Sequence, residues 1–257
     1  MRKVLVTILV LATVGGVFWY IRNDLKFSQN QAAVTDVNFK ENISTSLTEA
    51  SQKEVVKNNA DLLKAQALKI ISRPISVKIQ ISDNSRKNAL AKLDELIKLI
   101  RNKYDYVNAW YDLGAYRMVI GDYDGAIEAY QFVPLIKSGD YIGYVNLGDI
   151  YSHYLKNYPL AEENFLKALK NNSAYVSGYV ELAVLYENYF ESGYQKAEDL
   201  LLSGIRFNEG NLHIKIKLAE FYERNAKKSE ALALFKEVLS LDPNNKFVEA
   251  EVVRLSQ

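Results

Sequence analysis

The side chains that could carry out acid–base or metal chemistry in this chain are few and scattered. Its two histidines, His153 and His213, lie far apart and lack the spacing of a metal-binding pair. Adjacent carboxylates such as Glu162-Glu163 are typical of the solvated face of a helix. No glycine-rich phosphate loop, serine nucleophile elbow or His-Glu metal motif is present. The sequence therefore predicts a protein that is not an enzyme and that needs no cofactor or metal.

Composition places the chain among ordinary globular proteins of one or two domains. Its 257 residues are 49% hydrophobic and 25% charged, which allows a sizeable core. The net charge of +1 argues against a strong overall attraction to nucleic acid or acidic lipid. Cysteine is absent, which excludes disulfides, thiol catalysis and cysteine-based metal sites.

One pattern of residues recurs along the second half of the chain. Its first copy is Trp110, Leu113 and Gly114, and the next copies follow at intervals of 34, 35 and 36 residues. Such a period predicts stacked helix pairs, because one pair alone cannot bury its apolar face. The later copies are Tyr144, Leu147 and Gly148; Tyr179, Leu182 and Ala183; and Lys215, Leu218 and Ala219. A second set keeps the same step: Ala126, Ala161, Ala197 and Ala231, followed four residues on by Tyr130, Phe165, Leu201 and Phe235.

Over residues 107–245 this pattern resembles the tetratricopeptide repeat, in which an aromatic residue and Leu-Gly mark the first helix and Ala with an aromatic residue marks the second. Pro243 closes the last unit as in that family, whereas Arg117 and Lys215 depart from it. Extra residues should lengthen the turns near Asn157 and Ser192. The resemblance implies an all-α solenoid of about four helix-turn-helix repeats that binds other proteins. The expected repeats are 107–140, 141–175, 176–211 and 212–245 within a domain of 86–257, with flanking helices 86–101 and 246–255.

The N-terminus carries an apolar run, Val4–Ile21, of 18 residues without a charge. As a helix it would be about 27 Å long, close to the thickness of a bilayer's hydrocarbon core. Trp19 and Tyr20 stand at its far end, where aromatic residues favour the membrane interface. A cleaved signal peptide and a buried helix are the alternatives. We favour an uncleaved single transmembrane helix within residues 1–22.

The orientation of this anchor follows from the basic residues at its two ends. Arg2 and Lys3 precede the apolar run, and Arg22 and Lys26 follow it. Since the amino terminus adds a positive charge to the first side, the bias favours a cytoplasmic N-terminus. The repeats are then expected outside the cytoplasm.

A polar stretch, residues 23–46, predicts a flexible linker, and residues 47–85 predict a helix followed by an extended segment. The residues from Ser46 to Glu49 match a capping box for a helix that ends near Ile71. Its apolar stripe could form a dimerising coiled coil or pack against the solenoid, and its two alanines favour the second. The stripe consists of Val56, Ala60, Leu63, Ala67 and Ile70.

The segment Ile75–Ser82 alternates apolar and polar residues, which predicts a half-buried strand. No second such segment exists in the chain to pair with it. It could pair with another copy, add to a partner's sheet, or lie extended against the helices, and we favour the last. Asp83–Ser85 should cap the next helix. Pro134 should kink or shorten its helix, and Pro159 suits a helix start.

By the geometry of the family, one stripe on the first helix of each unit lines the concave surface, called the groove below. The sequence predicts a groove that is largely apolar and becomes acidic towards its C-terminal end. The predicted groove residues are Tyr111, Ala115 and Met118; Val145, Asp149 and Ser152; Val180, Val184 and Glu187; and Ile216, Glu220 and Glu223, with His153 and Arg224 at the edge.

This groove predicts a protein or peptide partner, not a nucleic acid. The carboxylate clamp of some family members is not carried over, because Tyr111, Asp112, Val145 and Asn146 occupy its positions. An alternative occupant is the chain's own segment Val56–Ser82. The favoured function is a membrane-anchored scaffold or adaptor; an envelope chaperone and a structural subunit of a membrane complex are the alternatives.

Overall fold

The computed structural model describes residues 49–257, with side chains from Val56 onwards. Residues 63–257 form one compact unit. The predicted anchor, residues 1–22, and the linker, residues 23–46, lie outside the described residues. Across residues 49–257, no helix combines the length and the apolar character needed to span a bilayer.

The described residues form eleven α-helices and no strand. From α3 onwards, consecutive helices pack in pairs that stack on one another, which confirms the predicted all-α solenoid of four units. The helices are α1 Glu49–Ile71, α2 Asp83–Asn102, α3 Val107–Val119, α4 Tyr123–Ile136, α5 Ile142–Asp149, α6 Tyr158–Asn171, α7 Val176–Tyr189, α8 Gly193–Phe207, α9 Leu212–Arg224, α10 Lys228–Leu241 and α11 Lys246–Leu255.

Within each of the first two units a glycine lets the helices approach closely. A Cβ atom on Gly114 would lie 2.5 Å from the ring of Tyr130, and one on Gly148 would lie 2.7 Å from the ring of Phe165. Leu147, which precedes Gly148, is only 2% exposed. The repeating Leu-Gly and aromatic positions therefore form the contact between the two helices of a unit.

Short polar side chains begin several of these helices. The Asn157 side chain accepts a hydrogen bond from the backbone N–H of Leu160, and Asn245 accepts one from that of Val248. Such caps satisfy N–H groups that have no partner inside the helix. Pro159 lies in the first turn of α6, as predicted.

The extra residue of the second unit is absorbed in a helix and not in a turn. Helix α5 continues as a π-helical segment, Ile150–Tyr154, in which the N–H of Leu155 donates to the carbonyl of Ile150. The expectation of a longer turn near Asn157 is thus wrong. A π-helical segment holds one more residue than an α-helical turn, so it rotates every later side chain by about 100°.

The C-terminal part of α1 packs against the solenoid, as favoured from its stripe. Ala67, Ile70 and Ile71 are buried in one cluster with Leu93 of α2. Val56, the first residue of the stripe, is 68% exposed. The buried residues of α1 are therefore unavailable for a coiled coil.

The segment Ile75–Ser82 is not a strand but lies extended against the helices, which confirms the favoured arrangement. The N–H of Lys78 donates to the carbonyl of Ile120 at 2.8 Å, and Ile75, Val77 and Ile81 pack into the N-terminal core cluster. The alternation of apolar residues thus reflects burial against helices rather than pairing in a sheet.

Arg117 stands where the family prefers tyrosine, and its charge is fully buried. Its guanidinium donates to the buried carboxylate of Asp122 and to the backbone carbonyl of Arg73. Gly125 leaves room for this pair, because a Cβ atom there would collide with both side chains. The departure at Arg117 is therefore compensated by its local ion pair.

Of the remaining helix predictions, one is confirmed, one has different bounds and one is wrong. Lys246–Leu255 forms a helix as predicted. The helix predicted over 86–101 extends over Asp83–Asn102, and its cap is Ser82 instead of Asp83–Ser85. Pro134 does not shorten α4, which has 14 residues, as α6 and α10 also have.

Removing a packed leucine should loosen its own unit first. Leu147→Ala is expected to lower the free energy of unfolding by about 2–5 kcal/mol, because it leaves a cavity in the core. Leu166→Ala is the control, since Leu166 is 43% exposed and should cost less than about 0.5 kcal/mol. Urea titration measures both variants.

Amide hydrogen exchange of the Leu147→Ala protein should accelerate most in α5, α6 and their neighbours, since each unit contacts mainly adjacent ones. Equal acceleration in all units, or an equal loss in the two variants, would contradict this account.

Candidate functional site

The first helix of each unit presents a stripe that the packing of the solenoid leaves uncovered. Most predicted groove residues lie on it, and Val184 is 44% exposed. The half-buried ones are Tyr111, Met118, Val145, Asp149, Val180, Glu187, Ile216, Glu220 and Glu223; the exposed ones are Ala115, His153, Val184 and Arg224.

Ser152 is the exception among the predicted groove residues, because it is buried. It lies in the π-helical segment, whose extra residue rotates it out of line with Asp149. Ser152 is therefore removed from the groove. Only the extra residue in the second repeat could have signalled this change.

The structure brings five of the predicted residues together around one cleft of about 330 Å³. The cleft lies between α7 of the third unit and α9 of the fourth. Four lining residues were not predicted. The lining residues are Val180, Ala183, Val184, Glu187, Asn188, Leu201, Lys217, Glu220 and Arg224.

On α9 the cleft is lined by Lys217, Glu220 and Arg224, whereas the sequence predicted a stripe of Ile216, Glu220 and Glu223 with Arg224 at its edge. Glu220 and Arg224 were thus predicted, and Lys217 takes the place of Ile216. Both stripes have helical spacing, so spacing alone could not choose between them.

One wall of the cleft is apolar and the other is charged. Val180, Val184 and Leu201 supply the apolar wall. On α9, Lys217, Glu220 and Arg224 supply charged groups, and the guanidinium of Arg224 reaches across to donate two hydrogen bonds to the carboxylate of Glu187 on α7, at 2.8 and 3.2 Å. These bonds hold the pKa of Arg224 above its ordinary value.

Ion pairing neutralises the C-terminal end of the groove, which corrects the expectation of an acidic end. Lys217 bonds to Glu220 at 2.9 Å, and Arg254 of the last helix bonds to Glu223 at 2.6 Å. Glu187 has Arg224 as its partner. The sequence prediction counted these carboxylates without the basic residues that neighbouring helices bring to them.

The carboxyl group that lacks a partner is in the middle of the groove. Within the described part of the chain, Asp149 makes no side-chain hydrogen bond or ion pair. Burial, with a smaller contribution from the carboxylate of Glu181, raises the pKa of Asp149 to about 6. His153 opposes this rise only weakly, and its Nδ1 atom lies 3.3 Å from the backbone oxygen of Asp149.

The N-terminal end of the groove is occupied by internal contacts. The hydroxyl of Tyr111 donates to the carboxylate of Asp140, which is fully buried and also accepts the backbone N–H of Gly143. Burial, followed by this hydrogen bond, raises the pKa of Tyr111 above its ordinary range. Tyr111 thus contributes to the packing between the first two units.

The chain's own extended segment does not fill the cleft. Residues 63–82 pack near α2, α3 and α4, and none of them lines the cleft. The described residues therefore do not fill the cleft.

Across the described residues, no three His, Asp or Glu side chains converge as a metal site.

Two stretches, 142–175 and 212–245, match the family model described as tetratricopeptide repeat. They coincide with the second and fourth units, which confirms that resemblance. No curated protein matches the chain.

Solved structures with similar helical arrays include MamA, which is 18% identical over 69% of this chain and 91% of that chain, with a TM-score of 0.47. YrrB, titled a TPR protein with an unusual peptide-binding site, is 16% identical over 62% of this chain and 81% of that chain, with a TM-score of 0.45. PilF of Pseudomonas aeruginosa is 14% identical over 76% of this chain and 84% of that chain, with a TM-score of 0.48.

The raised pKa of Asp149 should make stability depend on pH. Because folding holds this pKa above the ordinary value of about 4, the contribution to stability is complete below pH about 4 and is lost as the pH rises through 6. Asp149→Asn should therefore be more stable than the wild type at pH 7.5 by about 1–2 kcal/mol, allowing for solvent screening. At pH 4 this advantage should vanish.

Urea unfolding at both pH values measures this difference. Asp105→Asn is the control, since Asp105 is an exposed carboxylate without an ion pair among the described residues. The same gain in the control variant, or none for Asp149→Asn at pH 7.5, would contradict the assignment.

Proposed function

This chain contains tetratricopeptide repeats, and from that premise we propose that it is a protein–protein interaction scaffold. Its partner is a peptide or a helix that docks in the cleft between the third and fourth units. The single observation that carries the proposal is the cleft itself, in which apolar side chains of α7 and α8 lie beside ion-paired side chains that join α7 to α9.

The side chains of the two walls indicate which chemical groups a bound partner would carry. An aliphatic side chain fits against Val180, Val184 and Leu201, which offer no polar side-chain group. The polar groups of the same occupant meet Lys217 and Arg224 on the opposite wall. Pockets of this kind bind one apolar anchor and use a few polar groups to orient it.

The ion pairs order the charged side chains of the cleft before a partner binds. Arg224 is held by Glu187, and Lys217 is held by Glu220, before any partner arrives. Side chains that are already ordered lose less conformational entropy on binding. Asn225 supports the same arrangement, because its side-chain amide donates to Glu187 at 3.1 Å.

We further propose that Val4–Ile21 anchors the chain in a membrane, with the N-terminus in the cytoplasm and the repeats outside it. The support is its uncharged length and the aromatic residues at its end. Anchoring confines the cleft to the membrane surface and raises its effective concentration for partners there.

A second candidate function is that of a structural subunit bound through the last helix. Phe247 and Val253 of α11 are 50% and 57% exposed, although Val248 and Leu255 of the same helix are buried. Exposed apolar side chains on a terminal helix are suited to a permanent contact. The two candidates place the partner at different surfaces.

Photo-crosslinking from Val184 in the full-length protein, in its own cells, tests the first candidate. We expect a crosslinked product with another polypeptide that disappears when the same chain carries Val180→Glu, because the new charge lies in the apolar wall. Val253→Glu is the matched control, because Val253 is an exposed valine outside the cleft.

Loss of the product with Val253→Glu but not with Val180→Glu would favour the structural subunit. A product that neither change affects would contradict docking in the cleft.

A further inference from the structure

The net charge of +1 conceals two regions of opposite charge. Residues 63–105, called the basic cap, contain ten basic and four acidic residues, a net charge of +6. Residues 106–257, which form the four units and α11, contain 15 basic and 21 acidic residues, a net charge of −6. The solenoid is therefore polarised along the chain.

Many charges of the basic cap are free for an external partner. Of its ten basic residues, Arg73 and Lys78 pair with Asp124, and Lys92 and Lys98 pair within α2. The other six form no ion pair in the described part of the chain, and all six are exposed. Lys103 contacts the ring of Tyr106. The six are Lys64, Lys69, Arg86, Lys87, Arg101 and Lys103.

Helix α2 presents part of this charge on one face. Lys87 is followed by Lys98 after 11 residues and by Arg101 after 14, which are close to three and four turns of about 3.6 residues. Leu93 and Ile100 lie on another face and are fully buried. Lys98 is offset by Asp94, so Lys87 and Arg101 supply the net charge. This helix thus turns its apolar face to the core and a basic face outwards.

We propose that the basic cap docks on the anionic headgroups of a lipid bilayer and orients the anchored solenoid. The proposal rests on the membrane anchor proposed above. Exposed lysine and arginine side chains are attracted to a bilayer surface that carries anionic lipid. The net charge of −6 on residues 106–257 is repelled by the same surface, which keeps the cleft away from the bilayer and open to partners.

Nucleic acid is the rival partner for a basic surface. The basic cap has six available cations and is joined to units of opposite charge, which disfavours the long phosphate contacts that nucleic acid binding uses. The apolar run at the N-terminus favours lipid. RNA binding is therefore one of the outcomes that the experiment distinguishes.

Energy transfer to the lipid headgroups tests the proposal in the full-length protein. Because the chain has no cysteine, one fluorophore can be attached at Ala91→Cys, an exposed position of α2. A second preparation carries it at Ala233→Cys, an exposed position of α10. Both are reconstituted in vesicles of phosphatidylcholine, with or without phosphatidylglycerol, that contain a headgroup acceptor.

We expect phosphatidylglycerol to increase the energy transfer from the fluorophore at position 91 but not from the one at position 233. High salt should abolish this increase. The triple variant R86E/K87E/R101E should lose the increase. The control variant K156E/K228E/K236E, which reverses three exposed unpaired cations of the units, should retain it. Urea titration checks that both variants remain folded.

Equal transfer in the two lipid mixtures, or an equal loss in both triple variants, would overturn the proposal. So would unchanged transfer in R86E/K87E/R101E together with a loss of binding to single-stranded RNA, which would assign the cap to nucleic acid.

Failure of the anchor would be recognised separately, because the protein would then leave phosphatidylcholine vesicles on washing. Cosedimentation with phosphatidylglycerol vesicles would in that case test the basic cap alone. The wild type should sediment and R86E/K87E/R101E should bind at least about tenfold more weakly, since each cation near the surface contributes about fivefold.

Discussion

The solenoid depends on the contact between a small residue on the first helix of each unit and a large side chain on the second. Gly114 faces Tyr130 and Gly148 faces Phe165, at distances that leave no room for a Cβ atom. Ala219 and Phe235 occupy the equivalent positions of the last unit and are fully buried. This contact brings the two helices close together, and the pair then exposes an apolar face that only a neighbouring unit can cover.

Polar contacts then tie neighbouring units together. The ammonium of Lys196 bonds to Glu162 of the preceding unit at 3.1 Å and lies over the ring of Tyr186. Lys227 repeats the arrangement with Glu198 at 3.2 Å. A cation that contacts both a carboxylate and an aromatic ring is held in one position. These links join the second unit to the third and the third to the fourth.

Periodicity predicted the helices and their pairing because burial repeats at helical spacing, and it placed Val180 and Val184 on the wall of the cleft. Its failures have two causes: side chains distant in sequence meet in the fold, and one extra residue changes a helix locally. Glu223 was expected to be an acidic surface residue, but Arg254 reaches it from the last helix. Ser152 left the groove because one residue changed the helical turn. The alternation in Ile75–Ser82 correctly indicated burial against the helices, although the segment is not a strand.

Charge in this chain is arranged at three levels, and each level contributes differently to function. Inside the units, the buried pair of Arg117 and Asp122 is fixed in place and contributes to the packing around it. In the cleft, paired charges keep the wall ordered and close to neutral, so recognition there depends on apolar fit. Between the basic cap and the units, the unpaired charges have opposite signs, and only these act over the distance of a Debye length. Local ion pairs therefore shape the site, whereas the charges that have no partner determine which surfaces attract the molecule.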